Sequence, residues 1–236
     1  MKKIFIILIF ILMLTLLSIS VNAQTLKEIE ISTNSSYFDE ELGKYVVSFT
    51  VNSDNSINYL SKKDVDSIKH LNSLKYRKTI EKNTDSVIEL KGLADYYEWY
   101  EFIKESGPVK YVGTRRKVSA DFEAPPGGGS VSKTVSFSIA HTYSINVTTL
   151  SQKLAIQADA GFSWTESAES STTYTANLNP GESGYLAFTP YYDKVNGTLN
   201  LYSNWDGLIS SKQASGYSVK TTYDGEPDGL YQFILY

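Results

Sequence analysis

The longest regular pattern in the chain has a period of two. Over 131–147 the odd positions read Val131, Lys133, Val135, Phe137, Ile139, His141, Tyr143, Ile145 and Val147. The positions between them are nearly all Ser, Thr, Ala or Asn. After a short break the even positions read Leu154, Ile156, Ala158, Ala160, Phe162 and Trp164, with Gln157, Asp159, Ser163 and Thr165 between them. Successive side chains of a strand point to opposite faces, so the alternation predicts two strands, each apolar on one face only. Strands ordinarily run about 3–10 residues, and a 17-residue alternation is therefore long. Folding the runs about residues 150 and 151 sets Val147 against Leu154, Ile145 against Ile156, and Tyr143 against Ala158. The same register sets His141 against Ala160, Ile139 against Phe162, and Phe137 against Trp164. It gathers the whole apolar set on one side, and a one-residue slip would scatter it.

Two architectures use such a hairpin. A membrane barrel needs about 9–11 residues per crossing strand, and 137–147 and 154–164 hold 11 each. Its lipid face would carry Phe137, Ile139, Tyr143, Ile145, Val147, Leu154, Ile156, Phe162 and Trp164. Its water face would carry Ser136, Ser138, Ser144, Asn146, Gln157 and Asp159. Phe137, Phe162 and Trp164 would gather at one end, where aromatic girdles lie. His141 fits the lipid side poorly; it would either sit there neutral or make insertion sensitive to pH. In a soluble sandwich the same apolar face packs on a second sheet and the hydroxyl face meets water. Periodicity alone fits both.

Downstream the pattern stays β. Strands are predicted at 170–178, 185–192, 198–202 and 231–236, with turns at 179–184 and 224–229 and a tight hairpin at Asn196 and Gly197. Between 131 and 180, 17 of 50 residues are Ser or Thr and five are charged, a bias toward strands and turns. The N-terminal part is mixed. Tyr45, Val47, Phe49 and Val51 mark a strand. Ser61 and Asp64 have capping-box spacing ahead of Val65, Ile68 and Leu71, which predicts a short helix. Leu93, Tyr96, Tyr100 and Ile103, with Trp99 alongside, fit a second helix stopped by Gly107 and Pro108. The predicted fold is mainly β: an elongated sandwich with long Ser/Thr-rich strands (118–236), preceded by a smaller α+β region (24–117). Pro125, Pro126 and Gly127, Gly128 and Gly129 mark a loop just inside the second part.

Composition adds a compartment. Lys2 and Lys3, an apolar run and the small residues Val21 and Ala23 predict a secretory leader over 1–23; a retained anchor is the competing reading. Removing 23 of 236 residues leaves 213, enough for one large β domain or two small ones. Two of 22 basic residues go with the leader, leaving 20 against 26 acids and a net charge near −6. That balance opposes nucleic acid and simple adhesion to anionic lipid. The chain has no cysteine, so it needs its own core, and thiol catalysis and Cys-bound zinc are excluded.

The long Ser/Thr-rich strands at 131–149 and 154–178, the polar loop between them, and the turn at Asn179, Pro180 and Gly181 before 185–188 resemble the aerolysin, epsilon-toxin and Mtx2-like β-pore-forming proteins. The resemblance covers about 115–205. It implies a secreted chain that oligomerises on a membrane, and it assigns 135–165 as the inserting hairpin. The chain departs from that family in being short, with no evident lectin module and no obvious activation site.

Other chemistry is sparse. His70 and His141 lack metal-ligand spacing, and no nucleophile elbow or phosphate loop is present. No catalytic residues, metal or cofactor are assigned, and the chain reads as a non-enzyme. Asp224 and Asp228 read as turn residues before calcium ligands. Arg115, Arg116 and Lys117 read as a charged strand edge or a protease-sensitive site. Tyr97, Trp99 and Tyr100 are candidates for surface binding to sugar or lipid headgroups. The expected function is membrane insertion through the hairpin, with membrane lipid or a surface receptor and further copies of the chain as partners. The alternative is a non-lytic exported binding protein; an extracellular hydrolase ranks third.

Overall fold

The computed structural model describes residues 27–52, 54, 56–70 and 95–236. The expected leader, and Leu71 and Leu93 of the expected helices, lie outside the described residues. The strands are β1 (Lys27–Ser32), β2 (Tyr37–Asp39), β3 (Lys44–Val51), β4 (Ile57–Leu60), β5 (Glu98–Val112), β6 (Arg116–Lys117) and β7 (Phe122–Glu123). They continue with β8 (Gly129–Ala140), β9 (Thr142–Tyr143), β10 (Ser167–Leu178), β11 (Ser183–Ser203), β12 (Gly207–Val219) and β13 (Gly229–Leu235). Two helices join them, α1 (Lys62–His70) and α2 (Leu150–Ala158).

The 21-residue β11 is the spine of a large sheet. One edge pairs first with β13 and then with β12; the other pairs with β7, β6 and β5 in turn. Pro190 sits where the first edge changes partner, its Cα partner Gly229 being the last of β13's ladder. A residue without an N–H is tolerated at such a break. β3 joins β13, with β2 and β4 beyond it. A second, three-stranded sheet has the order β1-β10-β8, β1 parallel and β8 antiparallel to β10.

The small sheet packs on the β3–β13–β11 half of the large one, as the mainly β sandwich predicted. Val135 and Ile139 of β8, Tyr174, Ala176 and Leu178 of β10, and Ile29 and Ile31 of β1 meet Val47, Phe49, Leu186, Phe188 and Phe233. The alternation of β8 and β10 does this: odd positions of one and even positions of the other face inward. The outward hydroxyls pair across the ladder, Ser132 with Thr175 at 2.7 Å, Thr134 with Thr173 at 2.9 Å and Ser136 with Ser171 at 2.8 Å.

The helix expected at 61–71 is α1. Asp64 Oδ2 accepts from the Ser61 N–H at 2.9 Å while the Asp64 N–H donates to Ser61 Oγ at 3.3 Å, a capping box with Asp in the Glu position. Of the helix expected over 93–103, the part from Glu98 onward is instead β5. Tyr100 and Phe102 take positions opposite Leu201 and Leu199 of β11, and pairing along that strand outweighs a helical spacing of four residues. Gly107 and Pro108 lie inside β5, next to the slip in its register against β11, so Pro108 falls at an irregularity rather than a helix end. Asn196 and Gly197 make no hairpin, and β11 runs through them. Gly197 lets the Phe102 ring lie against the strand; a Cβ there would stand 2.7 Å from that ring. The division at 117/118 does not separate the sheets, because β1, β3 and β5 are built into them beside strands from the other side.

Candidate functional site

The second expected strand is not a strand here. β8 pairs with β10, Ala140 opposite Ser167 and Gly129 opposite Leu178. Residues 141–166 between them form an excursion that lies on the β5–β11–β12 half of the large sheet. Thr149 begins α2 with a capping box to Gln152, whose Nε2 donates to Tyr100 Oη at 3.1 Å. Capping and burial of one helical face thus outweigh the period-two pattern of 154–164. None of the expected pairs from Val147/Leu154 to Phe137/Trp164 forms.

The excursion is attached at both ends. The β8–β10 ladder runs one bond past its strands, the His141 N–H donating to Glu166 O at 2.6 Å. There the arms part. The first becomes β9 and pairs with Gly216 and Tyr217 of β12. The Ser144 N–H then donates to Ser215 O at 2.9 Å, and Asn146 Nδ2 to Gln213 O at 2.6 Å. The second arm returns to the same strand: the Thr165 N–H donates to Ser218 Oγ at 2.8 Å and the Val219 N–H to Thr165 O at 3.2 Å. Between them Val147, Ile156 and Ala160 are buried against Phe102, Val195, Leu199 and Ala214.

The apolar face expected for the hairpin is therefore divided. Ile139 is buried in the sandwich core, with Phe137 partly buried against it. Tyr143, Phe162 and Trp164 stack beside α2, Tyr143 on Trp164 at 5.7 Å with 11° between planes and Phe162 on Trp164 at 6.0 Å. Burial raises the Tyr143 hydroxyl above its ordinary pKa, partly offset by the hydrogen bond from Gln157 Nε2 at 2.9 Å. Ile145 and Leu154 point to water, 98% and 52% exposed. On the polar side Ser136 and Ser138 are exposed on β8. Ser144 and Asn146 fasten to β12, and Asp159 Oδ2 accepts from the Phe102 N–H at 3.3 Å. Sequence reasoning missed Ser215, Gly216 and Ser218 of β12, which lie 53 to 73 residues from the arm residues they hold. Only Gly216 carries a local signal, a glycine inside a strand.

The surface-binding candidates separate by face. Tyr100 turns toward α2, whereas Tyr97 and Trp99 are exposed at the start of β5. The structure adds Tyr202 and Trp205 to them: Trp99 lies near-parallel to Tyr202 at 5.6 Å, and Tyr96 is edge-on to Trp205 at 5.5 Å. Asp224 engages Lys27 Nζ at 3.1 Å and Thr222, while Asp228 is half-buried in the same turn. Among the described residues no group of three or more His, Cys, Asp or Glu side chains is placed to hold a metal. No helix among them is long and apolar enough to cross a membrane, which says nothing of strands.

These features define a class: a mainly β protein with an excursion tucked between two long paired strands, β8 and β10. In comparisons with known proteins, a family of unknown function, DUF6060, matches over 111–223. That span runs from the end of β5 past the end of β12 and holds the whole excursion. No curated protein and no solved structure matches the chain.

Proposed function

We propose that the chain is a secreted, membrane-active protein of the aerolysin-like kind, whose excursion 141–166 joins β8 and β10 as one amphipathic hairpin. The observation that carries the reading is the register of those strands. Continued past the His141–Glu166 bond, it sets Tyr143 against Trp164, Ile145 against Phe162 and Val147 against Ala160 on one face. It sets Thr142 against Thr165 and Ser144 against Ser163 on the other. The hairpin read from sequence places its partners six positions away, but both registers sort the same side chains to the same faces. No slip in the existing ladder is needed, only release of the excursion from β5, β11 and β12 and unwinding of α2.

On this reading 142–150 and 157–165 cross the bilayer, close to the lower limit of about 9 residues per strand. Tyr143 and Trp164 then lie at the interface, the place of aromatic girdles. His141 and Glu166 sit opposite each other one step further out, at the water boundary. A single hairpin leaves open edges in lipid, so closure takes several copies side by side.

A disulfide lock tests the reading, and the absence of native cysteine makes it clean. Ser144→Cys with Ser215→Cys would fasten the first arm to β12. Vesicles of phosphatidylcholine and cholesterol loaded with a self-quenching dye are challenged with wild type and lock, before and after limited proteolysis and acidification. Release by wild type, its loss in the oxidised lock and its return on reduction are expected. No release by wild type in any condition, or equal release by the oxidised lock, would overturn the reading.

A further inference from the structure

The face of the β5–β11–β12 half sheet away from α2 carries a row of side chains that neither the core nor the excursion uses. Tyr97, Trp99 and Tyr202 form a strip at its end, Tyr97 to Trp99 at 5.6 Å and Trp99 to Tyr202 at 5.6 Å. Tyr97 is 58% exposed and Trp99 40%. The next row along the sheet is Glu101, Asn200 and Ser211, with Ser211 Oγ donating to Asn200 Oδ1 at 2.7 Å and Asn200 Nδ2 to the Tyr202 hydroxyl at 3.3 Å. The strip is held rigidly. Asn204 clamps it, accepting from the Tyr97 N–H at 3.0 Å through Oδ1 and donating through Nδ2 to Asp95 O at 2.9 Å.

Charge selects the occupant. The two segments that build this end, 95–103 and 196–211, contain no Lys or Arg and four acids: Asp95, Glu98, Glu101 and Asp206. A phosphate or an anionic surface would be repelled. The Glu101 carboxylate beside the rings is costly to bring into lipid, even though exposed Leu208 extends the apolar strip opposite Tyr202. An uncharged polyhydroxylated ring meets neither obstacle. Its weakly positive C–H face lies on the negative π-faces of Trp and Tyr. Its hydroxyls donate to the exposed Glu101 carboxylate, and charge-assisted bonds of that kind are the stronger ones. A preformed platform loses little freedom on binding.

We propose that Tyr97, Trp99 and Tyr202, with Glu101 beside them and the buried Asn200 bracing the Tyr202 hydroxyl, form a binding platform for an uncharged glycan. The platform lies on the face opposite the excursion and functions whether or not the excursion inserts.

The purified chain is applied to a printed array of uncharged oligosaccharides, and the best retained sugar is titrated by tryptophan fluorescence. Trp99→Ala and Tyr202→Ala are each expected to weaken binding about tenfold or more. Trp99→Phe should keep most of the affinity, and Glu101→Gln should lower it. Far-UV circular dichroism should stay as in wild type for every variant, and the thermal midpoint too for Trp99 and Glu101, which are exposed; half-buried Tyr202 serves as the second probe. The proposal is overturned if no uncharged sugar is retained, or if Trp99→Ala binds as wild type does. It is overturned equally if phosphatidylcholine vesicles, and no sugar, capture the chain through Trp99; the face would then be a lipid surface.

Discussion

Ile145 stands almost wholly in water, 98% exposed, inside a segment whose other apolar side chains are mostly covered. The folded state therefore has little use for it, and Ile145→Lys should change stability by less than about 0.5 kcal/mol. On a lipid-facing strand the same lysine costs about 2–4 kcal/mol. The expected outcome is an unchanged thermal midpoint with dye release lost; release that survives would remove Ile145 from the bilayer face. Asp228 offers a second measurement at this scale. Burial raises its pKa most, opposed by Lys110 and Lys220 and assisted by nearby Asp193. Tyr191, over whose ring Lys110 Nζ sits at 3.5 Å, has its hydroxyl pushed up to about 12 by burial, with Asp228 adding to the shift. The folded chain holds the Asp228 proton more tightly than the unfolded chain does. Its contribution to stability is therefore full below the ordinary carboxyl value, about 4, and is lost as pH rises through the raised folded value. Asp228→Asn should raise the thermal midpoint near neutrality, with the gain shrinking toward about pH 4.

At the scale of elements, the contest is between α2 and a strand for the same residues. The alternation in 154–164 is real, yet Thr149 and Gln152 cap a helix, and Gln152 and Ile156, four apart, fall on its buried side. What decides is the surface waiting for them. Gly216 leaves a notch in β12 into which Ile156 and Trp164 fit; a Cβ there would stand 2.7 Å from Ile156 Cγ2 and 2.7 Å from the Trp164 ring. Gly216→Val should lift the excursion off the sheet while the sandwich stays folded. Limited proteolysis would then cut within 141–166 well before wild type is cut, with the β spectrum retained. An unchanged cleavage pattern would mean that the notch does not hold α2. β5 shows the same contest in reverse: its aromatic residues fit a helical spacing, and β11 draws them into a strand.

For the whole molecule, β11 matters most, because both halves of the large sheet share it. Strands β1, β3 and β5 come from the first half of the chain, yet Ile29, Ile31, Val47, Phe49 and Phe102 complete the two main cores. Residues 118–236 expressed alone should therefore give no cooperative thermal transition, although that is where the long alternating strands lie. A sharp transition in that fragment would restore 118–236 as a domain.

Local pattern by itself determined the β class, the inward and outward faces of β8, the strand at 170–178, the α1 cap, and the turns at 179–184 and 224–229. Each rests on a period of two or on turn and cap chemistry, which neighbouring residues carry. The tertiary structure alone decided that β8 pairs with β10, that 154–164 coils onto β12, that Gly197 admits Phe102 instead of making a turn, and that Tyr202 joins Tyr97 and Trp99. Those outcomes depend on partners about 25 to 105 positions away along the chain. A long-range surface can overrule a local preference because burying a side chain such as Ile156 outweighs the few tenths of a kcal/mol per residue by which local propensities differ.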